Sequence, residues 1–245
     1  MWKTVRSRTK RRPRIPDNIR IYAIGDIHGR LDLLERIIRK IDDSLIRSPA
    51  ENAFEIYLGD YIDRGPHSRQ VLNRLILRGA ARRAIFLKGN HEAYLTQFLQ
   101  DPATLREWRH FGGLETLMSY GLKPSLTADA SEECELVRAL EAALPKSHRE
   151  FLGKLRLSTD CGDFFFVHAG VRPRVPLNAQ CEADLLWIRD DFLLFEEDFG
   201  KIIVHGHTPV REPDVRSNRI NIDTGAYATG RLSCIMIEQD SISIL

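Results

Sequence analysis

Residues 21–41 read IYAIGDIHGRLDLLERIIRKI, and the order of apolar and polar residues in them sets the architecture. Ile21–Ile24 form a short apolar run that ends at Gly25. From Leu31 onward the apolar positions Leu31, Leu34, Ile37, Ile38 and Ile41 fall on one face of a helix. The segment reads as strand, loop and helix, with Asp26 and His28 in the loop. The same order returns at Phe54–Leu58, GDYIDRG (Gly59–Gly65) and the helical positions Val71, Leu72, Leu75 and Ile76. A third strand, Ala84–Leu87, leads into GNHE (Gly89–Glu92). Repeats of this unit predict an α/β chain with a largely parallel, helix-covered sheet, whose ligands gather beyond the carboxyl ends of the strands.

From Ala93 to Leu157 the pattern is helical, with Trp108, Phe111, Leu114, Leu117, Val137, Leu140, Leu144, Phe151 and Leu155 as the expected inward residues. Residues 93–157 are thus expected to be a helical insertion in one catalytic domain spanning 18–245. Strands are expected again at Phe164–Val167, Ile202–Val204, Ile220–Ile222, Leu232–Ile237 and, as an edge, Ser241–Leu245. Three more polar clusters accompany them: HAG at His168–Gly170, HGHT at His205–Thr208 and NIDTG at Asn221–Gly225.

With 43% apolar and 29% charged residues, the 245-residue chain has the composition of an ordinary soluble protein. The net charge of +2 hides an asymmetry: Lys3, Arg6, Arg8, Lys10, Arg11, Arg12 and Arg14 are accompanied by no acidic residue before Asp17, so the rest of the chain is net acidic. Residues 1–17 are expected to be a basic disordered tail. Any contact with nucleic acid is expected through that tail alone. Cys134, Cys161, Cys181 and Cys234 are scattered without paired spacing, which predicts reduced thiols in a cytoplasmic protein. No run approaches the roughly 20 apolar residues of a membrane span.

Five of the six clusters offer Asp, Asn or His, the donors that borderline divalent ions prefer. A strand period of two allows Asp26 and His28 to point the same way. Asp60 has two carboxylate oxygens and suits a bridge between two cations, with Asn90, His168 and His205 completing the second. Alone, each is an ordinary turn residue or core histidine; their coincidence at five strand ends carries the inference. Two such ions, about 3.5–4 Å apart, generate hydroxide near neutral pH for in-line attack on phosphorus. His91, next to a presumed ligand, is placed to protonate the leaving oxygen, with Asp63 fixing its tautomer. The guanidinium fork of Arg64 suits the phosphoryl oxygens.

The ordered set GDIHG, GDYIDRG, GNHE, HAG and HGHT resembles the calcineurin-like metallophosphoesterases, and within them the phosphoprotein phosphatase branch in its small bacterial and bacteriophage lambda-type form. The resemblance spans Gly25 to Gly225. It implies two β-sheets in a sandwich flanked by helices, in place of an open sheet. It also implies metal binding by Asp26, His28, Asp60, Asn90, His168 and His205, with Asp60 bridging. Spacing leaves open which of His168 and His205 serves which ion; the resemblance gathers both with Asn90 around the second. The further implied roles are an acid dyad of His91 and Asp63, and phosphate binding by Arg64 and by Arg189, which follows Trp187 and Ile188. HAG and NIDTGA depart from the eukaryotic enzymes, so control by eukaryotic-type regulatory subunits is not expected. Asp223 of NIDTG is expected to support HGHT from behind the ligands.

The expected activity is metal-dependent hydrolysis of phosphomonoesters, foremost phosphoserine and phosphothreonine in proteins, with phosphotyrosine and small phosphoesters also in range. Manganese is the expected cofactor, with iron or zinc also acceptable to these donors. The alternative is a symmetrical bis(5'-nucleosyl)-tetraphosphatase, which HAG and the compact length resemble; GDYIDRG favours the monoesterase. A non-catalytic metal-binding scaffold is the third reading, and the presence of both His91 and Asp63 speaks against it.

Overall fold

A computed structural model describes residues 12–245 of the chain. Strands β1 (Ile19–Ile24), β2 (Asn52–Tyr57) and β3 (Ala84–Phe86) are separated by helices α1 (Leu31–Arg47) and α2 (Ser68–Ala81). Helices α3 (Asn90–Phe98), α4 (Leu105–Trp108), α5 (Gly113–Ser119), α6 (Ala130–Ala143) and α7 (Lys146–Gly153) follow. Next come β4 (Ser158–Cys161), β5 (Phe164–Val167), α8 (Glu182–Trp187), α9 (Asp190–Leu193) and β6 (Ile202–His205). The chain closes with β7 (Asp214–Val215), β8 (Arg219–Asn221), α10 (Ala226–Thr229), β9 (Cys234–Glu238) and β10 (Ser241–Ile244).

The strands form two mixed five-stranded sheets, in the orders β10-β9-β1-β2-β3 and β4-β5-β6-β8-β7. In the first, β1, β2 and β3 are parallel; in the second, β5, β6 and β8 are. This is the two-sheet arrangement implied by the resemblance, and the side-chain period of two explains it. Ile21 and Ala23 of β1 join Ile56, Phe164, Phe166, Val204 and Ile220 in a core between the sheets, while Tyr22 and Ile24 face the helices. On β5 and β6, Phe165, Val167 and Ile203 point outward to Leu185, Ile188 and Phe192. Both faces of each sheet are covered, so the inner strands are apolar throughout.

The helical stretch 93–157 buries Trp108, Leu117, Val137, Leu140 and Leu144, and partly buries Phe111, Leu114, Phe151 and Leu155, in the same cluster as α1 and α2. The insertion therefore shares a core with the sheet that it covers. Strands β4 and β7 were not anticipated: one is a partly exposed edge and the other has only two residues.

The expected tail is partly corrected. Ile15 is fully buried between the sheets and donates its N–H to the Gln239 carbonyl at 3.0 Å. Its neighbour Arg14 exchanges bonds with Asp163, N to Oδ2 at 2.8 Å and carbonyl to N at 2.9 Å. The segment before β1 is held because an isoleucine there fills the core edge. Residues 1–11 lie outside the described residues, and so does most of the basic run. All four cysteines are free thiols, and no described helix is long and apolar enough to cross a membrane.

Candidate metal centre

The loops at the carboxyl ends of β1, β2, β3, β5 and β6 meet at one place. Asp26, His28, Asp60, Asp63, Asn90, His91, His168 and His207 are all buried there. The loops support one another through their backbones: the Asp60 carbonyl accepts from Ile27 N at 3.0 Å and His28 N at 2.8 Å, and the His168 carbonyl accepts from Gly206 N at 2.8 Å. Of the eight non-glycine residues with positive φ among those described, five are here: His28, Asp60, Asp63, Arg64 and His207. Such conformations cost on the order of 1–3 kcal/mol each and persist where surrounding bonds over-determine them. Glu92 supplies much of that constraint. Its carboxylate accepts from Asp60 N at 2.9 Å, Tyr61 N at 2.8 Å and Gly89 N at 2.9 Å.

Asp60 is the hub. His28, Asp60 and His91 offer ligand atoms within 4.8 Å of one another, and so do Asp60, His168 and His207. The packing tolerates no added carbon: a Cβ on Gly89 would lie 2.1 Å from Asp60 Oδ1, and one on Gly206 would lie 2.0 Å from Asp26 Oδ1.

The donor set fits cations, for a reason visible in the tautomers. His168 Nδ1 donates to the Leu58 carbonyl at 2.9 Å, so in the neutral ring Nε2 carries a lone pair. That lone pair faces Asn90 Oδ1 at 2.9 Å and Asp60 Oδ1 at 3.3 Å, two further acceptors. His28 repeats the arrangement, with Nδ1 bonded to the Ile62 carbonyl at 3.0 Å and Nε2 3.6 Å from Asp60 Oδ2. Acceptors converging on acceptors need a cation between them. Two buried atoms nearby, Asp26 Oδ1 and His207 Nε2, have no hydrogen-bond partner at all.

The electrostatics agree. Burial, together with Asp223 and Asp60, raises the Asp26 carboxyl well above its usual range. Burial also opposes ionisation of Asp60, yet the surrounding imidazoles outweigh it and hold that carboxyl low, His91 being the one whose charged form the site favours. Burial holds His168 below its ordinary value, and with neighbouring charges brings His28 down to about 3 and His207 to about 2, the neutral form that a cation requires. His91 differs: burial pulls it down, but Asp60 and Asp63 raise it above the ordinary histidine value.

His91 Nδ1 pairs with Asp63 Oδ2 at 2.7 Å, and its Nε2 faces Asp60 Oδ2 at 3.7 Å. Asp63 is fully buried and also accepts from Trp108 Nε1 at 2.6 Å and Thr116 Oγ1 at 2.5 Å. The half-buried Arg64 stands beside the dyad with its guanidinium 4.3 Å from the centre of the Tyr227 ring. Arg189 is exposed, and its charge reaches His168 and His207.

The structure thus gathers Asp26, His28, Asp60, Asn90 and His168, sets Asp63 against His91, and leaves Arg64 and Arg189 at the rim. It does not bring in His205. That side chain is two residues from Ile203 on β6 and shares its outward face, with its ring edge-on to Phe192 at 4.8 Å. His207 takes the place expected for it: its Nδ1 lies 2.9 Å from Asn90 Oδ1 and its N–H donates to Asp26 Oδ2 at 2.9 Å. Spacing alone could not separate two histidines on one period of two. Position could have done so, because His205 is still inside a strand and His207 lies beyond it. Motif spacing does not single out Glu92, Trp108 or Thr116 as site residues; for Glu92 a signal is present, since an acid three residues after Gly89 can reach back to the start of a helix. Asp223 is buried near Asp26, with Oδ1 accepting from Gly225 N at 2.8 Å.

The comparisons with known proteins point the same way. The asymmetrical bis(5'-nucleosyl)-tetraphosphatase PrpE of Anoxybacillus flavithermus is 25% identical over 239 residues, covering 90% of this chain and 92% of that one. A solved structure described as that of a candidate diadenosine tetraphosphatase superposes with a TM-score of 0.62 at 18% identity, covering 94% of this chain and 98% of that one. A protein serine/threonine phosphatase from Saccharomyces cerevisiae gives 0.56 at 16% identity, covering 93% and 79%. These two structures share the fold. The profile of the calcineurin-like phosphoesterases matches residues 19–231, from the start of β1 to the loop before β9, and the chain belongs to that family.

Proposed function

We propose that this protein is a metal-dependent hydrolase of dinucleoside tetraphosphates that cuts the phosphate chain asymmetrically, into a nucleoside monophosphate and a nucleoside triphosphate. The hydrolytic reading is carried by one observation: the buried Asp60 carboxylate stands between two sets of histidines, with the His91–Asp63 pair beside it. The substrate class rests on likeness to relatives of that name, which align over most of this chain.

In this reading Asp26, His28, Asp60, Asn90, His168 and His207 hold two divalent ions, with manganese the expected metal. Bound there, the ions supply Lewis acidity to the phosphoryl oxygens and lower the pKa of water. The chain's own groups do the rest. Asp63 accepts the Nδ1 proton of His91 and fixes the ring, leaving Nε2 to give its proton to the departing oxygen. Arg64 and Arg189 bind non-bridging oxygens, as guanidinium forks do well.

A second reading is phosphoserine and phosphothreonine hydrolysis in proteins, and the intact dyad favours it. An alkoxide leaving group needs a proton far more than a phosphate leaving group does, so an acid this well built suits a monoester. The deciding experiment is turnover with Mn²⁺ on diadenosine tetraphosphate, phosphopeptides and p-nitrophenyl phosphate, with product analysis. Fastest turnover of the dinucleotide, to AMP and ATP, is expected. Two ADP molecules would indicate symmetrical cleavage, and faster phosphopeptide turnover would establish the second reading. Binding of metal without any hydrolysis would leave only a scaffold. His91→Asn should cut phosphopeptide turnover by about 10²–10⁴-fold, the usual contribution of a general acid.

A further inference from the structure

Among the described Phe, Tyr and Trp side chains, Trp187 at 40% and Tyr227 at 36% are the most exposed. Both stand against candidate ligand histidines, and on different sides of Asp60. Tyr227 meets the His28 ring edge-on at 5.3 Å, in the set that includes His91. Trp187 meets the His207 ring edge-on at 6.4 Å, in the set that includes His168. Trp187 is further fixed by an edge-on contact with Tyr94 at 5.2 Å, and Tyr94 is itself tied to Glu107 by a 2.7 Å hydrogen bond. Each ring also has an arginine with it. Arg64 lies over Tyr227, and Arg189 follows Trp187 by two residues.

A partly exposed aromatic ring at each side of a polar site offers an apolar surface to a bound ligand. We infer that Trp187 and Tyr227 are two nucleobase platforms, each paired with an arginine for the adjoining phosphates, so that the site takes a ligand with a base at both ends of a phosphate chain. The inference rests on the dinucleotide reading above and deepens it. A phosphorylated serine would use the arginines and leave both rings idle. A base of any identity has a π-face that can stack on an aromatic ring.

The test separates base from phosphate. In a His91→Asn background with Mn²⁺, calorimetry would compare diadenosine tetraphosphate with inorganic tripolyphosphate, which has phosphates and no base. Trp187→Leu should weaken the dinucleotide about tenfold, the scale of one lost base stack, and weaken tripolyphosphate much less. Trp187→Phe should regain most of the loss by restoring a π-face, and Tyr227→Leu should repeat the pattern at the other end. Equal weakening of both ligands would mean that Trp187 only positions His207, and unchanged dinucleotide binding would mean that the ring is not a platform; either overturns the inference. Turnover by the otherwise unaltered enzyme keeps the two claims apart. If it hydrolyses the dinucleotide while the Trp187 and Tyr227 variants bind it normally, the platforms alone fail. If it turns over phosphopeptides and neither binds nor cleaves the dinucleotide, the platforms fall with the substrate reading.

Discussion

At the Asp63–His91 pair the protein has completed the bonding of the carboxylate; among the candidate cation ligands around Asp60 it has not. The Asp63 carboxylate takes bonds from His91, Trp108 and Thr116, and two of those three come from the helical insertion. Across the site, Asp26 Oδ1 and His207 Nε2 are buried without partners, and His168 turns a lone pair toward two acceptors. In the proposed function the contrast separates two tasks. A group that moves a proton must be oriented before substrate arrives, so its partners are built into the fold. A group that binds a cation must keep its lone pair free, and the protein supplies the geometry and leaves the last partner to the ion. The insertion supplies Trp108 and Thr116 to Asp63, while the candidate ligands come from loops at the ends of both sheets.

The largest effect should come from the histidine that the structure exchanged for another. His207→Asn should lower metal affinity by at least the 10–100-fold typical of lost supporting groups, while His205→Asn should keep the wild-type metal content, read by metal analysis after dialysis against dilute Mn²⁺. His205→Asn is expected to show instead as a lower melting temperature, since that ring fills space against Phe192. Equal metal loss in both would dissolve the distinction between the two histidines.

That pair also shows how far the sequence could be read. Strand, loop and helix followed from apolar spacing, and Asp26, His28, Asp60, Asn90 and His168 from their places after strands. Each of these lies one to four residues past the last residue of its strand. His205 closes β6 and His207 stands two beyond it, so the same rule, applied to the strand end and not to the motif, selects His207. What the sequence could not give is contact across distance. Trp108 looked like one more core residue at helical spacing, and nothing local reveals that its Nε1 ends on a carboxylate 45 residues away. Nor could charge alone reveal that Ile15 anchors the end of a basic run, because a single apolar residue has no periodicity.

Trp108→Phe tests the completed side with a smaller expected loss. It keeps an aromatic ring in the core and removes one donor to Asp63, which retains His91 and Thr116. Turnover should fall about tenfold, on the scale of supporting partners in such sites, with metal content unchanged. The protein should lose about 1–2 kcal/mol of stability, the cost of a buried hydrogen bond left half made. Loss of bound metal in this variant would show that the two sides are not separable.

The smallest effect concerns a histidine outside both sides, whose bonding is complete without any cation. His148 is fully buried in the insertion; Tyr120 donates its hydroxyl to Nδ1 at 2.7 Å, and Nε2 donates to Asn73 Oδ1 at 2.8 Å. Burial, aided by the nearby Arg69 charge, pushes its pKa down to about 4. Between the ordinary histidine value of about 6.5 and that lowered value, the unfolded chain takes up a proton that the folded chain refuses. Its contribution is therefore complete above pH 6.5 and is lost as pH falls toward 4, by about 1–2 kcal/mol after allowance for screening. Melting temperatures of wild type and His148→Gln across that window should converge on acidification, since glutamine cannot take up the proton. A constant gap would mean that the ring already accepts a proton in the folded state, and that complete hydrogen bonding does not by itself keep a buried histidine neutral in this protein.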